Sequence, residues 1–164
     1  MEIKSQMINT DGSVVNLTYR DADSFEDLIS KKVTQSYGVC FVGDKIVIVH
    51  IPKINHWGLV GGTLKEGESY EECLKREIKE ESNMKVNYFA PIGYQEVELP
   101  NETIYQLRYL CIVEPYGEFI SDPDGSVTEI KIIDPKDYKQ YFDWGEIGDR
   151  IMERAIELKE KFEE

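Results

Sequence analysis

A predicted helix over residues 69–83 carries acidic side chains on its apolar side, and this conflict limits how the chain can fold. Ser69 and the glutamate three residues later form a capping box, which is typical of a helix start. At about 100° per residue, the apolar residues share one side of this helix: Tyr70, Cys73, Leu74 and Ile78. Glu77 and Glu81 project from that same side, and Glu80 lies at its edge. Their spacing of i, i+3 and i+4 brings three carboxylates onto one patch.

Three arrangements relieve the mutual repulsion and the lost hydration of these carboxylates. The end of the helix projects into solvent, arginine and lysine side chains pair with the acids, or a divalent cation binds between them. Carboxylates without histidine or cysteine favour a hard cation such as Mg²⁺ or Mn²⁺. A cation held only by carboxylates and water keeps coordination positions open for the phosphate oxygens of a substrate.

The loop before this helix is rich in glycine. Gly61 and Gly62 are followed by Gly67, a pattern typical of a tight loop in which the backbone approaches a ligand or metal closely. A glycine-rich loop alone is weak evidence, because most such loops are turns. Its position directly before the acidic helix makes a shared site the stronger interpretation.

Composition excludes several classes of partner. Acidic residues outnumber basic ones by 32 to 19, which gives a formal net charge of −13. Such a chain is a poor ligand for nucleic-acid polymers and for acidic membranes, because both need a basic surface. It shows no apolar run of membrane-spanning length and no secretory leader. The three widely spaced cysteines, Cys40, Cys73 and Cys111, are typical of buried thiols, so we expect a cytoplasmic protein.

The first 32 residues are predicted to form an N-terminal appendage, a hairpin followed by a short helix. A turn signal over residues 9–12 separates two strand-like runs, and Ser24 is placed to cap a helix from Phe25 to about Lys31. Two arrangements of this appendage are equally compatible with its sequence. It adds a strand to its own sheet, or it pairs across a homodimer.

The rest of the chain, residues 33–164, mixes predicted strands and helices. Its strands are expected at residues 36–42, 45–50, 85–98, 103–114 and 128–133, with a loop over 51–63. A turn at Asp122–Gly125 precedes the last of these strands, and an amphipathic helix over 147–162 ends the chain. This order predicts an α/β (α+β) layer fold with a mixed sheet between helices.

The spacing Gly62-x5-Glu68-x7-Arg76-Glu77-Ile78-x-Glu80-Glu81 resembles the signature of the Nudix hydrolases, the MutT-like family. A looser similarity extends over about residues 34–160. The family glycine after the helix is Asn83 here, and Asn is the next most tolerant residue for the left-handed conformation. The frequent proline before the two glycines is Val60. The resemblance implies a Nudix-type α/β/α sandwich, with residues 33–164 as the Nudix hydrolase domain.

The resemblance also assigns roles to residues of the signature. It implies that Glu77, Glu80 and Glu81, helped by the Gly62 carbonyl, bind Mg²⁺ (or Mn²⁺). Glu77 and Glu80 are thereby predicted to be catalytic, and Glu77 is similar to the residue that activates water in some members. The resemblance implies that Glu68 and Arg76 form a structural ion pair that orients these acids, with Arg76 thereby contributing to catalysis, and that Gly61 is a structural residue of the motif. A further acid often completes the site. The candidates here are Glu129, which is predicted to be catalytic, and Asp124, with Glu98 behind them.

The substrate-side evidence is weaker. The predicted substrate-binding residues are Lys53, His56, Trp57 and Tyr105. Each also has an ordinary explanation, as a surface polar residue for the first two and as a packed aromatic residue for the last two.

The activity that the resemblance implies is Mg²⁺-dependent hydrolysis of a nucleoside diphosphate linked to another moiety, by water attack on phosphorus. ADP-ribose, nucleoside triphosphates, dinucleoside polyphosphates and nucleotide sugars all remain open as substrates. The alternative is a non-catalytic Nudix-fold module that senses nucleotides or binds a partner. The complete set of signature acids argues against that alternative.

Overall fold

The computed structural model describes all 164 residues and builds one nine-stranded mixed sheet with a helix on each face. The strands are β1 Glu2–Ile8, β2 Val14–Asp21, β3 Val33–Val42, β4 Lys45–Ile51, β5 His56–Gly58, β6 Val60–Thr63, β7 Met84–Glu98, β8 Thr103–Pro115 and β9 Glu129–Ile133. The α-helices are α1 Tyr70–Ser82 and α2 Gly145–Phe162, and single 3₁₀ segments cover Glu26–Leu28 and Pro135–Gln140. This layering confirms the predicted α+β sandwich.

The sheet order is β1-β2-β7-β8-β3-β4-β5, and β3 is parallel to β8 while every other pair is antiparallel. One edge of β3 is shared between two partners. Its first half pairs with β6 and its second half with β4. This division places the glycines of β6 beside the first half of β3, where α1 packs against both strands.

Each face of the sheet carries its own core of 15 buried residues. The core on one face packs against α2 through Ile147, Ile151 and Ala155. The core on the other face packs against α1 through Leu74 and Ile78. Because side chains alternate along a strand, neighbours in β3 and β8 are divided between the two cores.

The N-terminal hairpin extends its own sheet, since β1 pairs with β2 and β2 pairs with β7. Tyr19 is fully buried in the core on the α2 face. The predicted helix from Phe25 to Lys31 is wrong in length, because only a 3₁₀ segment, Glu26–Leu28, forms. Phe25 and Leu28 fill the core, but the next residue, Ile29, is 87% exposed, so no buried face stabilises a further turn.

The expected loop over residues 51–63 contains two short strands. β5 has three residues and β6 has four, which is too short for the alternation that identifies a strand from sequence. Both strands form because β4 and β3 offer free edges. No helix of the protein combines the length and the apolar character needed to cross a membrane.

Candidate functional site

The helix α1 begins and ends as its sequence predicts. The Ser69 hydroxyl accepts a hydrogen bond from the Glu72 backbone N–H at 3.1 Å. Asn83 ends the helix in the left-handed conformation, with φ at 55°, and its N–H donates to the Lys79 carbonyl. Asn83 therefore ends the helix in the conformation that a glycine usually adopts at this position. The last turns of α1 then carry the acidic residues toward β6.

Arg76 is the hub of the acidic patch. Its Nε and Nη2 donate to the two oxygens of Glu68 at 2.7 and 2.9 Å. Its Nη1 donates to Glu77 at 2.9 Å and to Glu80 at 3.2 Å, and Nη2 also donates to the Thr63 carbonyl at 3.0 Å. The Arg76 guanidinium holds the pKa of Glu68 at about 2. One cation therefore orients three carboxylates.

Glu81 has no basic partner. It is 6% exposed, and its one hydrogen bond is from the Gly61 N–H at 3.0 Å. Burial raises the pKa of Glu81 to about 8, although the Gly61 N–H opposes that rise. The neighbouring Glu77 and Glu80 charges raise it further. Pairing with arginine thus relieves only part of the charge repulsion on this patch.

Gly62 lies directly against Glu77. A Cβ at position 62 would lie 2.5 Å from the Glu77 carboxyl carbon, so only glycine leaves room for that carboxylate. The Gly62 carbonyl accepts a long contact from the Cys73 Sγ at 3.6 Å. Burial raises the pKa of the Glu77 carboxyl, while the Arg76 hydrogen bond lowers it.

A loop between β8 and β9 adds two more acids. The carboxylate oxygens of Glu80, Asp122 and Asp124 lie within 4.8 Å of one another. The Asp122 carboxylate accepts backbone N–H groups of Asp124 at 2.9 Å and Val127 at 3.1 Å, which fixes the loop. Burial and the hydrogen bond with Asp124 raise the pKa of Glu80. These donors are all oxygen atoms, and the basic side chains nearby are too few to neutralise them, so the group fits a hard divalent cation.

Of the acids considered for the completing role, Asp124 alone joins this group. The structure places Glu129 outside it, exposed on β9 opposite His50. Glu98 ends β7, where it accepts from Asn16 of the N-terminal hairpin. Asp122 was missed as a site residue. Its sequence signal, Asp-Pro-Asp-Gly, reveals the turn but not the side chain that meets α1.

A cavity of about 230 Å³ opens on the α2 face of the sheet. His56 and Trp57, two of the predicted substrate-binding residues, line it together with Tyr37, Arg108 and Trp144. The sequence analysis did not single out Arg108 as a candidate binding residue. The sequence signal for it is a basic residue in the middle of the apolar run of β8.

The other two predicted substrate-binding residues lie elsewhere. Lys53 is exposed in the turn after β4 and is not part of the cavity wall. The prediction that Tyr105 binds substrate is corrected, because Tyr105 does not line the cavity. It faces the opposite core, on the α1 side, and its hydroxyl donates to Glu96 at 2.9 Å. In β8, Gln106 and Arg108 point to the cavity, so the alternation of the strand directs Tyr105 away from it.

The family model for the NUDIX domain matches residues 33–155, about three quarters of the chain. The chain belongs to the Nudix hydrolase family. Membership confirms the enzyme class predicted from sequence, a hydrolase that acts on phosphoanhydrides. The N-terminal hairpin lies outside the matched Nudix region.

Solved structures share the Nudix fold at low sequence identity. A mutant of the Bacillus subtilis pyrophosphohydrolase BsRppH is 15% identical, with a TM-score of 0.70 over 96% of this chain and 97% of that one. The NUDIX domain of Shewanella oneidensis NrtR, solved with ADP ribose, is 20% identical, with a TM-score of 0.61 over 80% and 91%. A MutT protein, from work on Aliivibrio salmonicida and Vibrio cholerae, is 20% identical, with a TM-score of 0.57 over 77% and 99%. No curated protein matches the chain significantly.

Proposed function

We propose that this protein is a Mg²⁺-dependent hydrolase of nucleoside diphosphates linked to another moiety. The observation that carries the proposal is the Arg76 hub. Glu68 occupies two nitrogens of Arg76, and the third nitrogen orients both Glu77 and Glu80. An arrangement of this kind holds carboxylates in place for a cation, because one half-buried arginine positions the acids without neutralising all of them.

The residues present fit a divalent cation. Glu77, Glu80 and Glu81 would hold it, with Asp124 from the loop and the Gly62 carbonyl as further oxygen donors. The buried Glu81 carboxyl supports this assignment, because its raised pKa shows that the fold supplies no positive charge to stabilise its ionised form. When bound, such an ion lowers the charge on phosphate oxygens and the pKa of a bound water.

The chain's own residues supply the rest of the chemistry. Glu77 is partly withdrawn from solvent and has a raised pKa, which suits it to accept a proton from the water that attacks phosphorus. Arg76 keeps the Glu77 carboxylate directed at the site through its 2.9 Å hydrogen bond. In-line attack then breaks the phosphoanhydride and gives a nucleoside monophosphate and a second phosphate product.

The class of substrate is supported by the neighbours and by charge. One neighbour is a pyrophosphohydrolase, and another was solved with ADP ribose, a ligand that contains a phosphoanhydride. With a net charge of −13, this chain has little basic surface for a nucleic-acid polymer, so we infer a small nucleotide derivative. Its three cysteines are free and buried, which supports the cytoplasm as its location.

Hydrolysis of a nucleotide panel with Mg²⁺ tests the proposal. The panel contains ADP-ribose, normal and oxidised nucleoside triphosphates, dinucleoside polyphosphates and nucleotide sugars. Glu77→Gln and Glu80→Gln are expected to lower kcat/KM by on the order of 10²-fold or more. Glu71→Gln, on the exposed side of the same helix, is the matched control and should keep full activity. Tight nucleotide binding with no product would instead support a sensor module.

A further inference from the structure

Arg108 is a buried cation without an acidic partner. It is 5% exposed, and no Asp or Glu contributes to its pKa. Its Nη1 donates to the Leu107 carbonyl at 3.2 Å and its Nη2 to Gln106 Oε1 at 3.4 Å. Its Nε has no hydrogen-bond partner. Buried charges are normally paired, yet the fold gives this guanidinium no counter-charge, and the second hydrogens of Nη1 and Nη2 have no acceptor in the protein.

Two aromatic rings lie close to the Arg108 guanidinium. Its Cζ lies 4.9 Å from the centre of the Tyr37 ring and 5.8 Å from the centre of the Trp144 ring. A guanidinium commonly stacks on an aromatic face, and a stacked guanidinium keeps its edge, which carries the N–H groups, free for contact in its own plane. Arg108 and Trp144 line the 230 Å³ cavity and also a second one of about 460 Å³ beside the N-terminal hairpin.

The 230 Å³ cavity has the chemistry of a nucleobase site. Trp57 and Trp144 provide aromatic surface, and no lysine or second arginine lines it. A phosphate would favour several cations, whereas a flat heterocycle favours aromatic walls and a few hydrogen-bonding groups. The cavity therefore suits the base of a nucleotide more than its phosphates.

The polar groups of this wall are mainly donors. Gln95 Nε2 donates to Gln106 Oε1 at 3.1 Å, and Gln106 Nε2 donates to Gln35 Oε1 at 2.7 Å. Both lining glutamines, 35 and 106, thus have their carbonyl oxygens occupied. Together with Arg108, they leave N–H groups for a ligand, so a base that offers acceptors is the better match.

The cavity lies one short backbone step from the acidic site. A Cβ at Gly61 would lie 2.6 Å from Tyr37 Cδ1, in the cavity wall. A Cβ at the next residue, Gly62, would lie 2.5 Å from the Glu77 carboxyl carbon. The cavity wall and the acidic site thus meet at consecutive residues of β6, so a nucleotide with its base in the cavity can extend its phosphates toward the carboxylates of α1.

We propose that Arg108 selects the nucleobase and favours guanine or hypoxanthine over adenine. N7 and O6 of these bases form two adjacent acceptors, which two N–H groups of a guanidinium edge can bind together. Adenine places an amino donor where O6 would be, so two donors face each other. This inference rests on the proposed nucleotide-hydrolase function for its class of ligand.

Metal-free binding of nucleoside monophosphates tests the assignment without any turnover. Both tryptophans of the chain line the cavity, so their intrinsic fluorescence reports its occupancy directly. GMP and IMP are expected to bind roughly ten- to a hundredfold more tightly than AMP. Equal affinities for GMP and AMP would overturn the proposal, and so would the failure of every nucleotide to change the fluorescence.

Two variants separate the role of Arg108 from a general effect of charge. Arg108→Met should erase the preference for GMP over AMP, while Lys45→Met, which removes an exposed positive charge away from the cavity, should keep it. Persistence of the preference in folded Arg108→Met would reject the assignment. Circular dichroism checks that each variant folds.

Ligand analogues provide the same test on the unmodified protein. 7-deaza-GMP lacks the N7 acceptor and should bind about tenfold more weakly than GMP, whereas equal binding would contradict the two-acceptor contact. Ribose 5-phosphate should bind weakly. If it competed as well as GMP, Arg108 would be a phosphate ligand and the proposal would fail.

The failure of this inference is distinguishable from the failure of the proposed function. Hydrolysis with Mg²⁺ but no base preference would reject the role of Arg108 alone. A base preference without hydrolysis of any panel substrate would reject the hydrolase and keep the base site.

Discussion

Glu68 and Arg76 form a two-point ion pair in which both carboxylate oxygens bind the guanidinium, at 2.7 and 2.9 Å. The same guanidinium reaches Glu77 and Glu80 with its remaining nitrogen. The pair therefore fixes the plane of Arg76, and through it the direction of two carboxylates of α1. Glu68 therefore acts on the site indirectly, by positioning Arg76.

Glu68→Gln should damage function more than stability. Loss of one charged contact frees Arg76 to rotate onto Glu77 and Glu80, so we expect about a 10- to 100-fold loss in metal affinity or activity. The unfolding temperature should change little, because Arg76 keeps Glu77, Glu80 and the Thr63 carbonyl as partners. Kinetics as a function of Mg²⁺ concentration separate an effect on metal affinity from one on kcat.

The exposed Glu66, on the same loop, provides the control for this substitution. Glu66→Gln should behave as the unmodified protein. Unchanged kcat and unchanged Mg²⁺ dependence in Glu68→Gln would show that Arg76 is held without its partner.

Gly62→Ala should displace a single carboxylate. The added methyl would lie 2.5–2.7 Å from the carboxyl atoms of Glu77, so that side chain must move. A shift of about 1 Å in a catalytic group costs on the order of 10²-fold in rate. Gly117→Ala is the matched control, because its nearest neighbour, Asn83 Nδ2, would be 3.8 Å away. Full activity of Gly62→Ala would remove Glu77 from the proposed mechanism.

The sequence predicted α1 and its acids well because every signal there is local. The capping box, the helical spacing and the left-handed end at Asn83 all lie within one segment, and helical geometry alone brings Glu77, Glu80 and Glu81 together. The structure confirms this helix. Its residue roles stay proposals that the substitutions above test.

Non-local features were not accessible from sequence in the same way. The loop that brings Asp122 and Asp124 to Glu80 is distant in the chain, and its position depends on the sheet. β8 is covered by helices on both faces, so its residues lack the polar and apolar alternation that reveals strand direction. Sequence alone therefore could not assign Tyr105 and Arg108 to opposite faces of the sheet.

The stability of the metal-free protein should fall as pH rises from about 5 to about 8. Burial raises the folded-state pKa of Glu81 to about 8, above the value near 4.5 expected in the unfolded chain. Between these values the folded state holds one more proton than the unfolded state, so a rise in pH favours unfolding. One pKa unit corresponds to about 1.4 kcal/mol, which lowers Tm by several degrees over two units.

Thermal unfolding in the presence of a chelator measures this dependence. Glu81→Gln should flatten the Tm-against-pH curve over the same range, while Glu71→Gln should leave its slope unchanged. Added Mg²⁺ should raise Tm most at the upper end of the range, where the Glu81 charge is uncompensated. An equal slope in Glu81→Gln and in the unmodified protein would contradict the account of Glu81.

Tyr19→Ala should destabilise the whole domain, although Tyr19 lies in the N-terminal hairpin. Tyr19 is fully buried between the sheet and α2, and removing a large buried ring costs about 3–5 kcal/mol. Chemical denaturation measures the loss, and the exposed Lys4→Ala on the neighbouring strand is the control. A change of oligomeric state in light scattering, with stability retained, would instead assign the hairpin to a dimer.

Asp124→Asn should weaken metal binding and leave the fold intact. Asp124 is exposed and faces Glu80, so its amide keeps the shape of the side chain but removes one negative charge from the donor set. We expect about a 10- to 100-fold weaker affinity for Mn²⁺, measured by calorimetry, with an unchanged Tm in chelator.

Asp122→Asn should behave differently from Asp124→Asn. The Asp122 oxygens accept hydrogen bonds from two backbone N–H groups of the loop, so this substitution should lower Tm as well as metal affinity. The exposed Asp137→Asn controls for the loss of charge alone. Equal Mn²⁺ affinity in Asp124→Asn and Asp137→Asn would show that the cation is held by α1 without the loop.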